Sequence, residues 1–224
     1  MADEKASART RRFWDGRTSS GMYRSVAAGV IWLSCLQVFV VDFVVQAEWV
    51  ALYPVSEGYL SDLGNTACGP TACSPRHALM NGSFLVLGLL LVAGLLLASA
   101  ARGGRAGRAM VALAGLGWIL VGLAPENENM LLHLVGALLI FVCGNVGMIV
   151  YGLRLRALDH RFESVWSLFA GAVGVAATAL FLSGQFLGLG LGGMERLAVY
   201  AIVVWAAVLG VTTVVSRQPT ATLR

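Results

Sequence analysis

Six apolar runs of about twenty residues each constrain this chain more than any other feature. They cover residues 23–46, 77–100, 107–124, 131–153, 164–187 and 194–215. At 1.5 Å per residue a helix needs about 20 apolar residues to cross the hydrocarbon core of a bilayer, so each run is long enough to span. Composition agrees, with 58% hydrophobic residues, a mean hydropathy of +0.76 and 12% charged residues; a soluble domain carries about 25% charged. The predicted fold is all-α, a polytopic membrane bundle of six transmembrane helices over residues 23–216. A disordered cytoplasmic tail is predicted at residues 1–22 and a second cytoplasmic tail at 217–224. Val45-Gln46-Ala47 resembles a signal-peptide cleavage site, but the run before it exceeds the roughly 7–15 residues of a signal core, which predicts an uncleaved helix.

Charge sorts the connections between runs. Of the 16 Lys and Arg residues, all but Arg76 and Arg196 fall in the two tails, in the second-to-third and fourth-to-fifth connections, or, as Arg24 and Arg108 do, in the first two residues of a run that adjoins them. The positive-inside rule then places both termini in the cytoplasm, in what reads as a bacterial inner membrane. The basic residues form short patches between apolar runs, which excludes a nucleic-acid partner. The other side receives Glu48, Glu57, Asp62, Glu126, Glu128 and Glu195. The two halves show no internal repeat of the kind that builds many transporters.

The densest polar stretch is Ser61 to Asn81, S-D-L-G-N-T-A-C-G-P-T-A-C-S-P-R-H-A-L-M-N. Cys68 and Cys73 share an outward loop, where oxidising conditions predict a disulfide. A zinc site using Cys68, Cys73 and His77 is the alternative on spacing alone. Ser74-Pro75 reads as an N-cap with proline at the first helical position, opening the second span. His77 and Asn81 then lie one turn apart on one face. A second polar segment, Pro125-Glu126-Asn127-Glu128-Asn129, precedes His133, which is backed by Gly136 and Ala137 and so suits a helix interface. Asn145, about 18 Å deeper, reads as an interhelical hydrogen-bond partner. Asp42 and Gln46 sit near the outer end of span one, and Glu195-Arg196 opens span six after a glycine-rich segment, as an interfacial anchor.

These residues carry a resemblance. Ser61-Asp62-Leu63-Gly64-Asn65, Ser74-Pro75-Arg76-His77-Ala78-Leu79-Met80-Asn81, Gly122-Leu123-Ala124-Pro125-Glu126-Asn127 and the stretch from His133 to Asn145 resemble the bacterial and archaeal family called domain of unknown function 998. More distantly, the S-D-x-G before a proline-started helix and the acidic segment before H-x-x-G-A are similar to the damage-regulated autophagy modulator and GPI-anchor remodelling membrane proteins. The first resemblance implies a six-span fold and no activity. The remodelling branch of the second implies lipid chemistry.

The functional expectation is an outward polar site that binds or modifies a membrane lipid. In it Asp62, His77, Glu126 and His133 are the acid-base groups, a histidine acting as general base and an acid orienting it. Asn65, Arg76, Asn81, Asn127, Glu195 and Arg196 are the substrate contacts, with Arg76 or Arg196 holding a phosphate. The four acid-base residues are expected to converge on one cavity between spans two and four, with Glu195 and Arg196 at its rim. Ser61 and Ser74 are nucleophile candidates lacking a G-x-S-x-G setting. No cofactor and no metal is assigned, although His77 and His133 would suit haem if they met. The competing expectation is a non-catalytic scaffold, channel or transporter subunit whose polar residues satisfy one another.

Overall fold

The computed structural model describes residues 21–50, 52–69, 73–98 and 102–216. Every described span is helical, because a backbone crossing lipid must satisfy its own polar groups and a helix does so within one segment. The six helices are α1 (Gly21–Ala47), α2 (His77–Leu97), α3 (Gly104–Leu123), α4 (Met130–Ala157), α5 (Arg161–Leu182) and α6 (Gly190–Val215). Each matches one apolar run to within a few residues. Among the described residues there is no strand. Residues 1–20 and 217–224 of the expected tails lie outside the described residues, and residues 21 and 22 already belong to α1.

Local chemistry explains the ends. The α2–α3 turn uses Gly103 and Gly104 at φ +79° and +64°, a region that residues with a Cβ enter only with strain. Pro125 follows α3 and cannot continue it. Asn129 caps α4 by accepting from the Leu132 amide at 3.1 Å. The expected cap at Ser74 is different in the structure. Its buried hydroxyl donates to the Leu63 carbonyl at 2.6 Å, and α2 begins only at His77, after a turn closed by His77 N–H to Ser74 O. Ser74 therefore ties α2 to the loop before it.

α2 packs on α3, α3 on α4, α4 on α5 and α5 on α6, while α6 returns to α1. α6 is the most buried of the six, and Trp32, Trp118, Tyr151, Met148 and Trp205 fill the interior. Small residues allow close approach: a Cβ on Gly117 would lie 2.5 Å from the Gly136 carbonyl, and one on Gly136 would lie 2.9 Å from that of Gly117. Such contacts replace the hydrophobic drive that lipid does not supply. Asn145 ties three helices together. Its amide nitrogen, 1% exposed at the residue level, reaches Phe141 O at 2.9 Å, Thr178 Oγ1 on α5 at 3.0 Å and Ala198 O on α6 at 3.2 Å. It sits at the end of a π-helical turn, Leu139–Gly144, inside α4. Such turns widen a helix locally and occur often near functional sites.

The bundle thus has an acidic end, where α1–α2, α3–α4 and α5–α6 connect, and a basic end, where α2–α3 and α4–α5 connect. At the basic end Arg102 spans to Glu163 on α5 and Thr213 on α6, both at 3.0 Å.

Candidate functional site at the acidic end

A short 3₁₀ turn, Leu60–Gly64, carries the first acid of the site. Asp62 closes the turn on itself, its Oδ2 accepting the Tyr59 amide at 2.7 Å. The turn is pinned from α2, where Asn81 donates to the Gly64 carbonyl at 2.8 Å. A Cβ on Gly64 would run into the Asn81 side chain, so this glycine is what lets the two approach.

The turn delivers Asp62 to Glu126. Glu126 lies near enough to act on the Asp62 carboxyl. Burial first, and Glu126 second, push the Asp62 carboxyl up to about 6. Ser61 Oγ donates to Glu126 Oε2 at 2.8 Å. Glu195 completes the cluster from α6. It is buried rather than at a rim, 8% exposed, and its Oε2 accepts the Leu60 amide at 2.6 Å.

Beneath this cluster lies a cavity of about 30 Å³, walled by Ser61, Glu195, His133, Trp118, Phe84 and Phe141 among others. That volume suits one or two waters. His133 Nδ1 lies 2.9 Å from the Ala124 carbonyl. A carbonyl only accepts, so Nδ1 carries the hydrogen and the neutral ring keeps its lone pair on Nε2. Trp118 is 2% exposed, and its indole nitrogen has no acceptor among the described residues.

Arg196, next to Glu195, does loop-holding work. Its Nη1 donates to the carbonyls of Val55, Gly58 and Gly192, at 3.2, 2.9 and 3.1 Å, and its Nη2 to Tyr53 Oη at 3.0 Å. Only Nε has no hydrogen bond among the described residues, with Asp42 Oδ2 3.9 Å away. Asp42 itself points inward, accepting from Tyr200 Oη at 2.9 Å and from Gln46 at 2.6 Å.

The remaining predicted residues sort by distance from this cluster. His77 turns its Nδ1 to the Ser74 carbonyl at 2.9 Å and is not among the residues walling the His133 cavity. Arg76 is exposed and paired with Glu48 at 3.0 Å, holding that carboxyl below its ordinary range. Asn127 reaches across to Thr66, accepting from its amide at 3.2 Å and donating to its hydroxyl at 2.9 Å. Asn65 accepts the Ala67 amide at 2.9 Å and lines, with Asp62, Tyr53 and Trp49, a polar hollow of about 370 Å³ at the acidic end. Cys68 and Cys73 form a disulfide, which leaves neither sulfur as a thiolate for zinc. Among the described residues no three His, Cys, Asp or Glu side chains are arranged to hold a metal.

A third feature lies on the lipid-facing flank. An apolar groove of about 460 Å³ is walled by Phe39 of α1, Trp166 and Phe169 of α5, and Arg196, Tyr200 and Ala201 of α6. It extends from Leu189 to Val204, about 22 Å along α6. Arg196 Nε and Trp166 Nε1, the two orphan donors other than Trp118 among the described residues, both belong to residues of its wall.

A family described as protein of unknown function (DUF998) matches the chain over residues 16–212. The chain belongs to this family. No curated protein and no solved structure matches it. The family match spans all six helices and the whole acidic-end cluster, so these features belong to the family domain and to no appended segment.

Sequence reasoning reached Asp62, Glu126 and His133 and missed what joins them. Tyr53 and Trp118 carried no motif. Trp118 had one readable signal, an indole placed mid-span in an otherwise aliphatic helix, which needs a partner for its N–H.

Proposed function

We propose that this DUF998 protein binds a membrane lipid, with an acyl chain in the α1–α5–α6 groove and the headgroup at the acidic end. The orientation proposed is that of a bacterial inner membrane with both termini cytoplasmic and the acidic end outside. One observation carries the reading: a groove long enough for most of an acyl chain has, near its acidic end, a buried guanidinium nitrogen without a hydrogen bond among the described residues. A lipid supplies both an apolar tail and ester or phosphate oxygens, and a charge-assisted bond from Arg196 Nε to such an oxygen is a strong one.

The surroundings favour a particular headgroup. Asp42, Asp62 and Glu195 stand near Arg196, three acids against one cation. A headgroup that brings an ammonium or hydroxyls, such as phosphatidylethanolamine, suits that field better than an anionic phosphatidylglycerol. The Asp62 carboxyl, which burial and Glu126 push up to about 6, lines the 370 Å³ hollow and is suited to general acid catalysis on a headgroup. The distant likeness to GPI-remodelling proteins points the same way. The non-catalytic reading rests on the small cavity at His133, which admits water and no lipid fragment.

Native mass spectrometry of the protein released from nanodiscs tests the proposal. Retained phosphatidylethanolamine in the wild type, and its loss in a groove-filling Ala201→Phe variant of unchanged melting temperature, is the expected result. Equal lipid retention by the two proteins overturns it.

A further inference from the structure

The cavity beneath the carboxyl cluster and the hollow above it lie at the two ends of one chain of polar groups. Asp62 lines the hollow of about 370 Å³. It contacts Glu126, Glu126 accepts from Ser61 at 2.8 Å, and Ser61 walls the inner cavity together with Glu195, His133 and Trp118. The Ser61–Glu126 link is within hydrogen-bond range, and each group can both take and give a proton. The inner end has the features of a hydration site. Its volume of about 30 Å³ exceeds what one water needs. Trp118, buried to 2% exposure, has an indole N–H without an acceptor among the described residues, which a neutral His133 with Nδ1 engaged does not compete for and a water oxygen satisfies.

We infer that this cavity is a proton-loading site: one or two waters held by Trp118 N–H and His133 Nε2 deliver a proton from the acidic-end solvent to Glu195 through Asp62, Glu126 and Ser61. The ligand is a hydronium-derived proton, and the step balances. A hydronium at the hollow protonates the Asp62–Glu126 pair and leaves as water. Ser61, which donates to Glu126 at rest, turns its hydroxyl to a cavity water, and Glu126 then passes a proton to Ser61 Oγ as the hydroxyl proton moves to that water. That water gives up a proton to the Glu195 carboxylate, which becomes a carboxylic acid, and the net change is one proton inward. The charged and titratable groups around Glu195 are Asp62, Glu126, Arg196, His133, Tyr53 and Tyr200. The α2 and α3 residues at the cavity, Phe84, Trp118 and Val121, add no charge. Glu195 is therefore the innermost carboxyl of the wire, and Arg196 beside it, already bound to the 53–58 loop, is positioned to feel its charge change.

The site goes beyond lipid binding and stands on the opposite face of α6 chemistry from the groove, so either can fail alone. The test is infrared difference spectroscopy of the full chain in nanodiscs after a rapid pH jump, following the carbonyl band of protonated carboxyl groups. Glu195→Gln keeps an acceptor for the Leu60 amide and should delete one component of that band. Ser61→Ala should keep the component at equilibrium but slow its appearance by about tenfold or more, and Trp118→Phe should slow it as well. A band unchanged in Glu195→Gln, or a Ser61→Ala protein that loads as fast as wild type, overturns the inference.

Discussion

Ser61, next to Asp62 on the α1–α2 loop, donates to Glu126 on the α3–α4 loop at 2.8 Å, which joins the two loops at the acidic end of the bundle. Burial, with Glu126 nearby, pushes the Asp62 carboxyl up to about 6, so it keeps its proton well above the usual carboxylate range.

Stability should reflect that proton. Asp62 titrates at about 6 when folded, against about 3.9 for an unperturbed Asp, so between pH 4 and pH 6 the folded state binds more protons than the unfolded one. Stability then falls as pH rises through that window and stays at the lower level above it. Asp62→Asn mimics the protonated acid, keeping the Tyr59 amide acceptor and donating to Glu126. Because Asp62 is partly open to solvent, the gain is discounted to about 1 kcal/mol near pH 7.5, worth roughly 2–4 °C in Tm. Thermal melts from pH 4 to pH 8 should show a shallower pH slope in the variant; equal slopes would remove Asp62 as the coupled group.

Asn145 and Gly174 should behave as a unit. A Cβ on Gly174 would collide with the Asn145 carboxamide, so Gly174→Ala should cost about 1–3 kcal/mol by overpacking. Asn145→Ala should cost about 1–2 kcal/mol, the range for an interhelical hydrogen bond in a membrane. The double variant should cost about 1 kcal/mol less than the sum, since removing the amide makes room for the methyl. Additive losses in a denaturation series would contradict the contact.

How much of this was readable in sequence follows from which force sets each feature. Span number, span ends and the tying role of Asn145 come from hydropathy and the cost of an unpaired amide in lipid, which are local, and the helices match. The Glu195–Arg196 pair read as an anchor because acids favour a helix start, yet the 53–60 loop folds over it and draws both side chains inward through Leu60 and Tyr53. His77 read as a partner of His133 because both begin helices at one level. Depth alone does not set azimuth, and Ser74 holds His77 on its own turn. The α1–α5–α6 groove depends on three helices distant in sequence, and no single segment encodes it.

The Cys68–Cys73 bridge should leave the non-reduced protein two hydrogens lighter than the reduced one by mass spectrometry. A loop this short constrains the unfolded chain by only about 2 kcal/mol, so reduction should lower the melting temperature modestly without unfolding the bundle. Two free thiols in protein prepared without reductant would contradict the bridge.

The orientation proposed from the split of basic residues is open to labelling. Arg105→Cys, at the exposed basic end, should react with an impermeant maleimide only after the membrane is permeabilised. Reaction in intact cells would reverse the topology.

Lipid occupancy of the groove is the central claim, and photocrosslinking reports it most directly. A phosphatidylethanolamine carrying a photoreactive acyl chain, irradiated with the protein in nanodiscs, should label Phe39, Phe169, Leu197 and Ala201 well above the lipid-facing Val40, Leu96 and Leu182. Labelling spread evenly over both sets would show that the groove holds no lipid in preference to the rest of the bundle surface, and would contradict the account.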